Sequence, residues 1–254
     1  MPEILAVVNQ KGGVGKTTTC INLSASLSKT TRKVLLVDLD PQSNAIRGCG
    51  VDPHGLSTSI NDLLLGRSSA DEIIIQPDNI DFSLLPATPD LTESEVMLIS
   101  SEHKEYTLKN ILSRFNTEYD YIIIDCPPSL NILTVNALSA ASGVLIPVQC
   151  EFFALQGLSE LITTIDTIKN SSNEDLIIKG IIRTMFDPRN NLATDVSAQL
   201  LKFFDEKVYR TIIPRNITLA EAPSHGMPVI NYDKGSKGAL SYLSLVGEII
   251  KQER

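Results

Sequence analysis

Asn9-Gln10-Lys11-Gly12-Gly13-Val14-Gly15-Lys16-Thr17-Thr18 decides how the rest of the chain is read. It follows a short apolar run at residues 4–8 and leads into an amphipathic stretch at 17–28, so it reads as the turn between a strand and a helix. Gly12, Gly13 and Gly15 allow the backbone to curl until several N–H groups point into one concavity, and the new helix adds the positive end of its dipole. Such a turn binds an anion of several charges. Lys16 is placed to reach the β- and γ-phosphates of a nucleotide, and the Thr17 hydroxyl to ligate Mg²⁺. The strict spacing G-x-x-x-x-G-K-[ST] is not met, because its first position is Gln10. The Gly-Lys-Thr between strand and helix carries the assignment all the same.

Outward from this loop, short β-rich runs alternate with longer amphipathic stretches, the pattern of a mostly parallel, twisted sheet flanked by helices. Strands are expected at residues 4–8, 34–38, 82–85, 121–125, 144–148, 177–182 and 208–213, and helices at 17–28, 107–115, 130–141, 155–170, 193–205 and 239–251. The runs at 121–125 and 144–148 are apolar on both faces, as central parallel strands under helices are. Residues 43–105 follow the alternation least and are expected to form short helices and loops beside the phosphate loop. Without a tandem repeat, long linker or low-complexity segment, residues 1–254 read as one α/β domain.

Composition narrows the function classes. With 43% hydrophobic and 20% charged residues, 14 Gly and 13 Pro, the chain is neither disordered nor fibrous. No run reaches the ~18 apolar residues of a membrane span, and Met1-Pro2-Glu3 lacks the basic start of a signal peptide, so a cytoplasmic location is expected. Cys20, Cys49, Cys126 and Cys150 form no Cys-x-x-Cys and read as reduced, mostly buried residues rather than a zinc site or a disulfide framework. The net charge of −8 is unevenly spread: residues 1–178 carry 11 basic and 22 acidic side chains, residues 179–254 carry 11 and 8. That split is compatible with a basic face on an acidic protein.

Two further strands end in carboxylates. Tyr121–Asp125 ends in Asp125, expected to ligate Mg²⁺ or to anchor a ligand of it. Val34–Asp38 ends in Asp38, and Asp40 follows two residues on, so the two carboxylates face one way on an extended strand. Open α/β sheets bind ligands at the C-terminal ends of their strands, where all three aspartates fall.

Together with the second lysine at the loop's start, Lys11, the segments Val37-Asp38-Leu39-Asp40-Pro41-Gln42, Asp125-Cys126-Pro127-Pro128-Ser129, Pro147-Val148-Gln149-Cys150-Glu151 and the stretch from Ile213-Pro214-Arg215 to Ser224-His225-Gly226 make the chain resemble the ParA/Soj branch of the deviant Walker A ATPases, the chromosome and plasmid partition ATPases, over about residues 3–250. The resemblance implies a P-loop NTPase fold and binding of ATP and Mg²⁺, with nucleotide contacts from Lys11, Gly12, Gly13, Val14, Gly15, Lys16, Thr17 and Thr18. It implies a metal site around Thr17, Asp38 and Asp125, in which Asp38 lies deeper, and an Asp40 that positions the attacking water. Lys11 would cross an ATP-dependent homodimer interface to the other subunit's phosphates, where a cation stabilises the charge that spreads over the γ-oxygens. Met185 and Pro214 match positions that flank the adenine.

The implied cycle is slow basal hydrolysis, non-specific binding of double-stranded DNA by the ATP-bound dimer on the nucleoid, and stimulation by a ParB-like centromere-binding protein. The DNA-binding arginines of relatives include one matching Arg189 and one matching position 218, which here is Thr218; Arg215, Lys234 and Lys237 are then the remaining candidates. Because the first strand begins by residue 4, the N-terminal helix-turn-helix extension of larger plasmid relatives is expected to be lacking. An alternative in the same superfamily is a MinD-like membrane-cycling regulator, which needs a basic amphipathic C-terminal helix. The tail from Ala239 offsets Lys251 and Arg254 with Glu248 and Glu253 and reads better as a last core helix, so no stable membrane association is expected. An iron–sulfur carrier would need cysteines at a dimer axis, which the absence of Cys-x-x-Cys disfavours.

Overall fold

A computed structural model describes residues 1–252; Glu253 and Arg254, part of the tail reading, lie outside them. The apolar run after Met1-Pro2 forms β1 (Glu3–Val7), and the phosphate loop leads into α1 (Lys16–Ser28). Then come β2 (Val34–Asp38), α2 (Asn44–Gly48), α3 (Ile60–Leu64), β3 (Ser83–Leu85), α4 (Leu91–Ile99), α5 (Thr107–Leu112) and β4 (Tyr121–Asp125). The second half holds α6 (Ile132–Ala140), β5 (Gly143–Gln149), α7 (Ala154–Ser171), β6 (Ile177–Phe186), α8 (Asn191–Phe204), β7 (Val208–Pro214), α9 (Ile217–Glu221), α10 (Val229–Tyr232) and α11 (Lys237–Lys251).

The seven strands form one sheet in the order β3-β2-β4-β1-β5-β6-β7, with every neighbouring pair parallel. Each crossover must therefore pass over a face of the sheet, and the period of two along each strand divides the core. Leu5, Val7, Leu36 and Ile123 face α1, α2 and α9–α11, whereas Ala6, Leu35, Val37 and Ile124 face α3–α8. β2 and β4 are buried along their whole length, as their unbroken apolar runs require.

The register fixes the site. Val7, the last residue of β1, is level with Asp125, and Asp125 is level with Asp38, so the loop and two carboxylates emerge side by side at the C-terminal edge of the sheet. Residues 43–105 form the expected short helices; α3, for example, is held by a capping box in which Ser59 and Asp62 satisfy each other's backbone.

One strand differs materially from expectation: β6 runs four residues past 182. Arg183, the first residue past the expected bounds, is buried inside the strand, its guanidinium donating to Ser197 Oγ and to the carbonyls of Tyr209 and Arg210 at 2.9–3.0 Å. α11 buries Tyr242, Leu245, Val246 and Ile249 against the face of the sheet that α1 covers, so its apolar stripe belongs to the core. Among the described residues no helix is long and apolar enough to cross a membrane.

Candidate nucleotide site

The loop conformation depends on two of its three glycines. Gly13 and Gly15 have φ of 75° and 90°, the left-handed region that side chains with a Cβ avoid. Gly12 does not, and a Cβ there meets nothing within 4 Å. Gly12 therefore serves not the curl of the loop but the openness of its outer surface, which corrects the role expected for it.

Several contacts hold the loop from a distance. Thr184 on β6 donates its hydroxyl to the Val14 carbonyl at 2.8 Å, and Asn9 donates to the Pro147 carbonyl at 2.7 Å while accepting the Lys11 N–H at 2.9 Å. Tyr242 on α11 meets the Thr19 hydroxyl at 3.1 Å. Sequence reading finds neither Thr184 nor Tyr242, which come from 170 and 223 residues along the chain.

A cavity of about 880 Å³ opens over the loop. Gly12, Gly13, Gly15, Lys16, Thr17 and Thr18 form its floor and Asp40 one side. Met185, Pro214 and Arg215 line the same cavity, so the residues expected around the purine share one space with those expected around the phosphates. Met185 reaches it from an unusual backbone: its φ is 48°, and the register between β6 and β7 shifts between Arg183 and Phe186. This irregularity in the strand turns the side chain into the cavity, at the cost of about 1–2 kcal/mol for a left-handed residue with a Cβ.

The carboxylates divide into three environments. Asp40 lines the cavity and spends one oxygen on the Gln42 N–H at 2.9 Å. Asp38 does not line it: the residue is wholly buried, and its two oxygens accept the N–H groups of Asp40 at 3.1 Å and Ile46 at 3.2 Å. The expectation that Asp38 and Asp40 present a common carboxylate face is corrected accordingly, because the strand ends at Asp38 and the chain turns. Asp125 is also fully buried and, like Asp38, is not among the residues that line the cavity; its Oδ1 accepts the Cys20 thiol at 3.4 Å, the Thr17 hydroxyl bears on the same carboxylate, and Oδ2 has no hydrogen-bond partner among the described residues. Burial pushes the Asp125 carboxyl up to about 7, against the Thr17 hydroxyl beside it, which lowers it; the Asp40 charge adds to the rise.

Lys16 is 7% exposed, and its ammonium donates a long 3.4 Å bond to the Lys11 carbonyl, a weak contact that a phosphate oxygen can replace. Lys11 and Val14 line a separate hollow, on the side of Phe153 and Gly157, and the Lys11 ammonium is ion-paired with Glu151 just past β5. The exposed, edge-to-face pair Phe152 and Phe153 follows directly.

The fit to Mg²⁺ rests on Asp125. No group of three or more His, Cys, Asp or Glu side chains among the described residues forms a metal cage. Mg²⁺ does not need one, since it is held by one or two oxygens from the protein together with phosphate oxygens and water. An unpartnered buried carboxylate oxygen beside the hydroxyl of a phosphate-loop threonine fits that description.

Of the basic candidates, Arg189 and Arg215 border one hollow next to Met185. Arg189 lies against Asp187 through two bonds of 2.9 and 2.7 Å but keeps most of its surface in solvent. Lys234 and Lys237 are exposed before and at the start of α11. Gly238, next to Lys237, packs on Asn216, next to Arg215, and this links the two groups.

Comparison with known proteins places this architecture. A family model described as an AAA domain matches residues 2–178. The chain is 48% identical over 251 residues to the chromosome partitioning protein ParA of Myxococcus xanthus, covering 99% of this chain and 89% of that one. It is 47% identical over 249 residues to the sporulation initiation inhibitor protein Soj of Bacillus subtilis, covering 98% of both. A solved structure of cobyrinic acid a,c-diamide synthase from Mycobacterium smegmatis, with a bound ATP analogue and magnesium, superposes with a TM-score of 0.88 at 36% identity, over 100% of this chain and 96% of that one. With the ParA and Soj sequences matched at this identity over 98–99% of this chain, the chain belongs to the ParA/Soj family of partition ATPases.

Proposed function

We propose that the protein is a Mg²⁺-dependent ATP hydrolase of slow basal turnover that closes as a homodimer around two nucleotides and, in that state, holds non-specific DNA. The observation that carries the reading is Asp125: a fully buried carboxylate with an orphaned oxygen, set beside Thr17 and under a loop whose only buried cation is Lys16. Magnesium, when bound, would neutralise part of the phosphates' charge. Thr17 and Asp125 are the residues to hold it, with Asp38 fixing the turn that carries Asp40. The backbone N–H groups of the loop and the Lys16 ammonium cradle the phosphates. Asp40 keeps one oxygen on the Gln42 N–H, so its other oxygen is positioned to orient a water from the side of the cavity. Met185 and Pro214 bracket the purine.

Lys11 acts on the other subunit's nucleotide. To do so it must leave Glu151; both partners are about half exposed, so the loss is only of the ~0–1 kcal/mol that surface ion pairs contribute. Arg189, Arg215, Lys234 and Lys237 supply phosphate contacts to DNA without reading bases. A ParB-like centromere-binding protein would end the cycle by speeding hydrolysis, and the protein would work in the cytoplasm, on the nucleoid while ATP-bound. The deciding experiment compares retention on unrelated DNA fragments with ATP, ADP and no nucleotide, each with Mg²⁺. Retention with ATP alone is expected; equal retention in all three states refutes the cycle.

A further inference from the structure

Arg47 belongs to none of the motifs that mark this site, yet its side chain lines the same cavity as Lys16, Thr17 and Thr18. Its backbone has little freedom. Ile46, the residue before, gives its N–H to the buried Asp38, and Gly48, the residue after, is pressed so closely on α1 that a Cβ would lie 2.6 Å from Ile21 Cδ1. One residue further on, the Cys49 carbonyl accepts from Asn79 at 3.1 Å. The helix α2 is thus clamped on both sides of Arg47.

The guanidinium itself is exposed and makes no side-chain hydrogen bond or ion pair among the described residues. Arg67 and Arg189 differ, each lying bidentate on a carboxylate. Around the cavity wall Lys16, Arg47 and Arg215 face the single lining carboxylate of Asp40, an excess of positive charge that calls for an anion. A planar guanidinium matches two oxygens of a phosphate group. The contact of Gly48 with Ile21 seats α2 against α1 one helical turn past Thr17, so Arg47 meets the cavity from the wall that these two helices share.

From this placement we propose that Arg47 is a nucleotide-binding residue that grips an inner phosphate, one that ATP and ADP share, from the α2 wall. The inference rests on the reading of this cavity as the nucleotide site. Calorimetric titration of the full chain with MgATP and MgADP tests it, using wild type, Arg47→Ala and Arg47→Lys, each also melted without nucleotide. Arg47→Ala is expected to weaken both nucleotides by the same factor, about tenfold for one charge-assisted contact. Arg47→Lys should recover part of the loss, and the nucleotide-free melting temperatures should coincide, which a merely structural arginine would not give. Unchanged affinities, a loss confined to ATP, or a lowered melting temperature without rescue by lysine overturns the assignment of Arg47 while leaving the site reading intact. A wild-type chain that binds neither nucleotide overturns both.

Discussion

Gly12→Val separates what the phosphate loop does for its own chain from what it does between two chains. In the monomer the substitution meets no obstacle: φ at Gly12 is not left-handed, and no heavy atom lies within 4 Å of an added Cβ. Its effect on stability should stay within ~0.5 kcal/mol, the usual range for an open surface position. Unfolding entropy scales as about 2.1 cal/mol/K per residue, so for 254 residues this is a shift of about 1 °C or less. Gly15→Ala is the control on the same loop. A Cβ there meets only Thr184, at an ordinary 3.9 Å, but a φ of 90° costs a residue with a side chain ~1–2 kcal/mol, or about 2–4 °C. Across a two-fold interface the valine appears twice, and overpacking of ~1–3 kcal/mol at each copy weakens the dimer on the order of 10–10⁴-fold. Scanning fluorimetry, ATP calorimetry and ATP-dependent sizing by light scattering read the three quantities separately. Expected are a wild-type melting point, retained ATP binding and a missing dimer peak. A normal dimer peak, or a Gly12→Val protein that melts as low as Gly15→Ala, refutes the reasoning.

Other variants probe the remaining roles. Lys16→Ala removes the buried ammonium of the loop and should abolish nucleotide binding; a wild-type calorimetric isotherm would remove the phosphate-loop assignment. Asp40→Ala should accumulate an ATP-bound dimer, because the cradle stays intact while the water loses its orienting group, and an undiminished rate of phosphate release would show that Asp40 has another role. Lys11→Ala should lose both dimerisation and turnover; a cation supplied in trans is worth on the order of 10³–10⁵ in rate, less where basal turnover is slow. Arg189→Glu should weaken retention of unrelated DNA fragments uniformly and flatten its salt dependence by about 0.9 in log–log slope per lost phosphate contact, leaving ATP-dependent dimerisation unchanged. A gel-shift series across salt concentrations in which this variant behaves as wild type counts against the basic face.

The parts of the fold that could be read in sequence are those whose cause is local. The runs at β2 and β4 are apolar on both faces because both faces are covered, and Gly13, Gly15 and Lys16 announce the loop, the two glycines because their left-handed φ excludes a side chain. The expected strand at 177–182 fell short of Arg183 because a buried charge in a strand is tolerated only where carbonyls from another strand accept its N–H groups, and those arrive from Tyr209 and Arg210 on β7. The pairing of Glu151 with Lys11 and the contact of Thr184 with Val14 escaped for the same reason: the partners lie 140 and 170 residues apart. Arg47 has no local signal either, since nothing in Asn44-Ala45-Ile46-Arg47-Gly48 shows that Gly48 will seat this short helix on α1.

The two buried aspartates show how the sheet turns register into chemistry. Asp38 and Asp125 are level on adjacent strands, both at 0% exposure, so burial and mutual repulsion oppose ionisation of either. They resolve the conflict differently. Asp38 receives two backbone N–H bonds from the turn that follows it, which complete its hydrogen bonding and thereby fix Asp40 and Ile46. Asp125 receives a weak thiol bond and the Thr17 hydroxyl and keeps an oxygen without a partner; burial raises both carboxyls, Asp38 well above its ordinary range and Asp125 to about 7. A carboxylate so placed is destabilising in isolation. On the proposed reading, a cation held by the Thr17 hydroxyl and the nucleotide's own oxygens would offset that cost, and metal and nucleotide would then support each other's binding. The satisfied Asp38 carries that dependence outward, because the same carboxylate that neighbours Asp125 holds the start of α2 and, through Ile46, the position of Arg47.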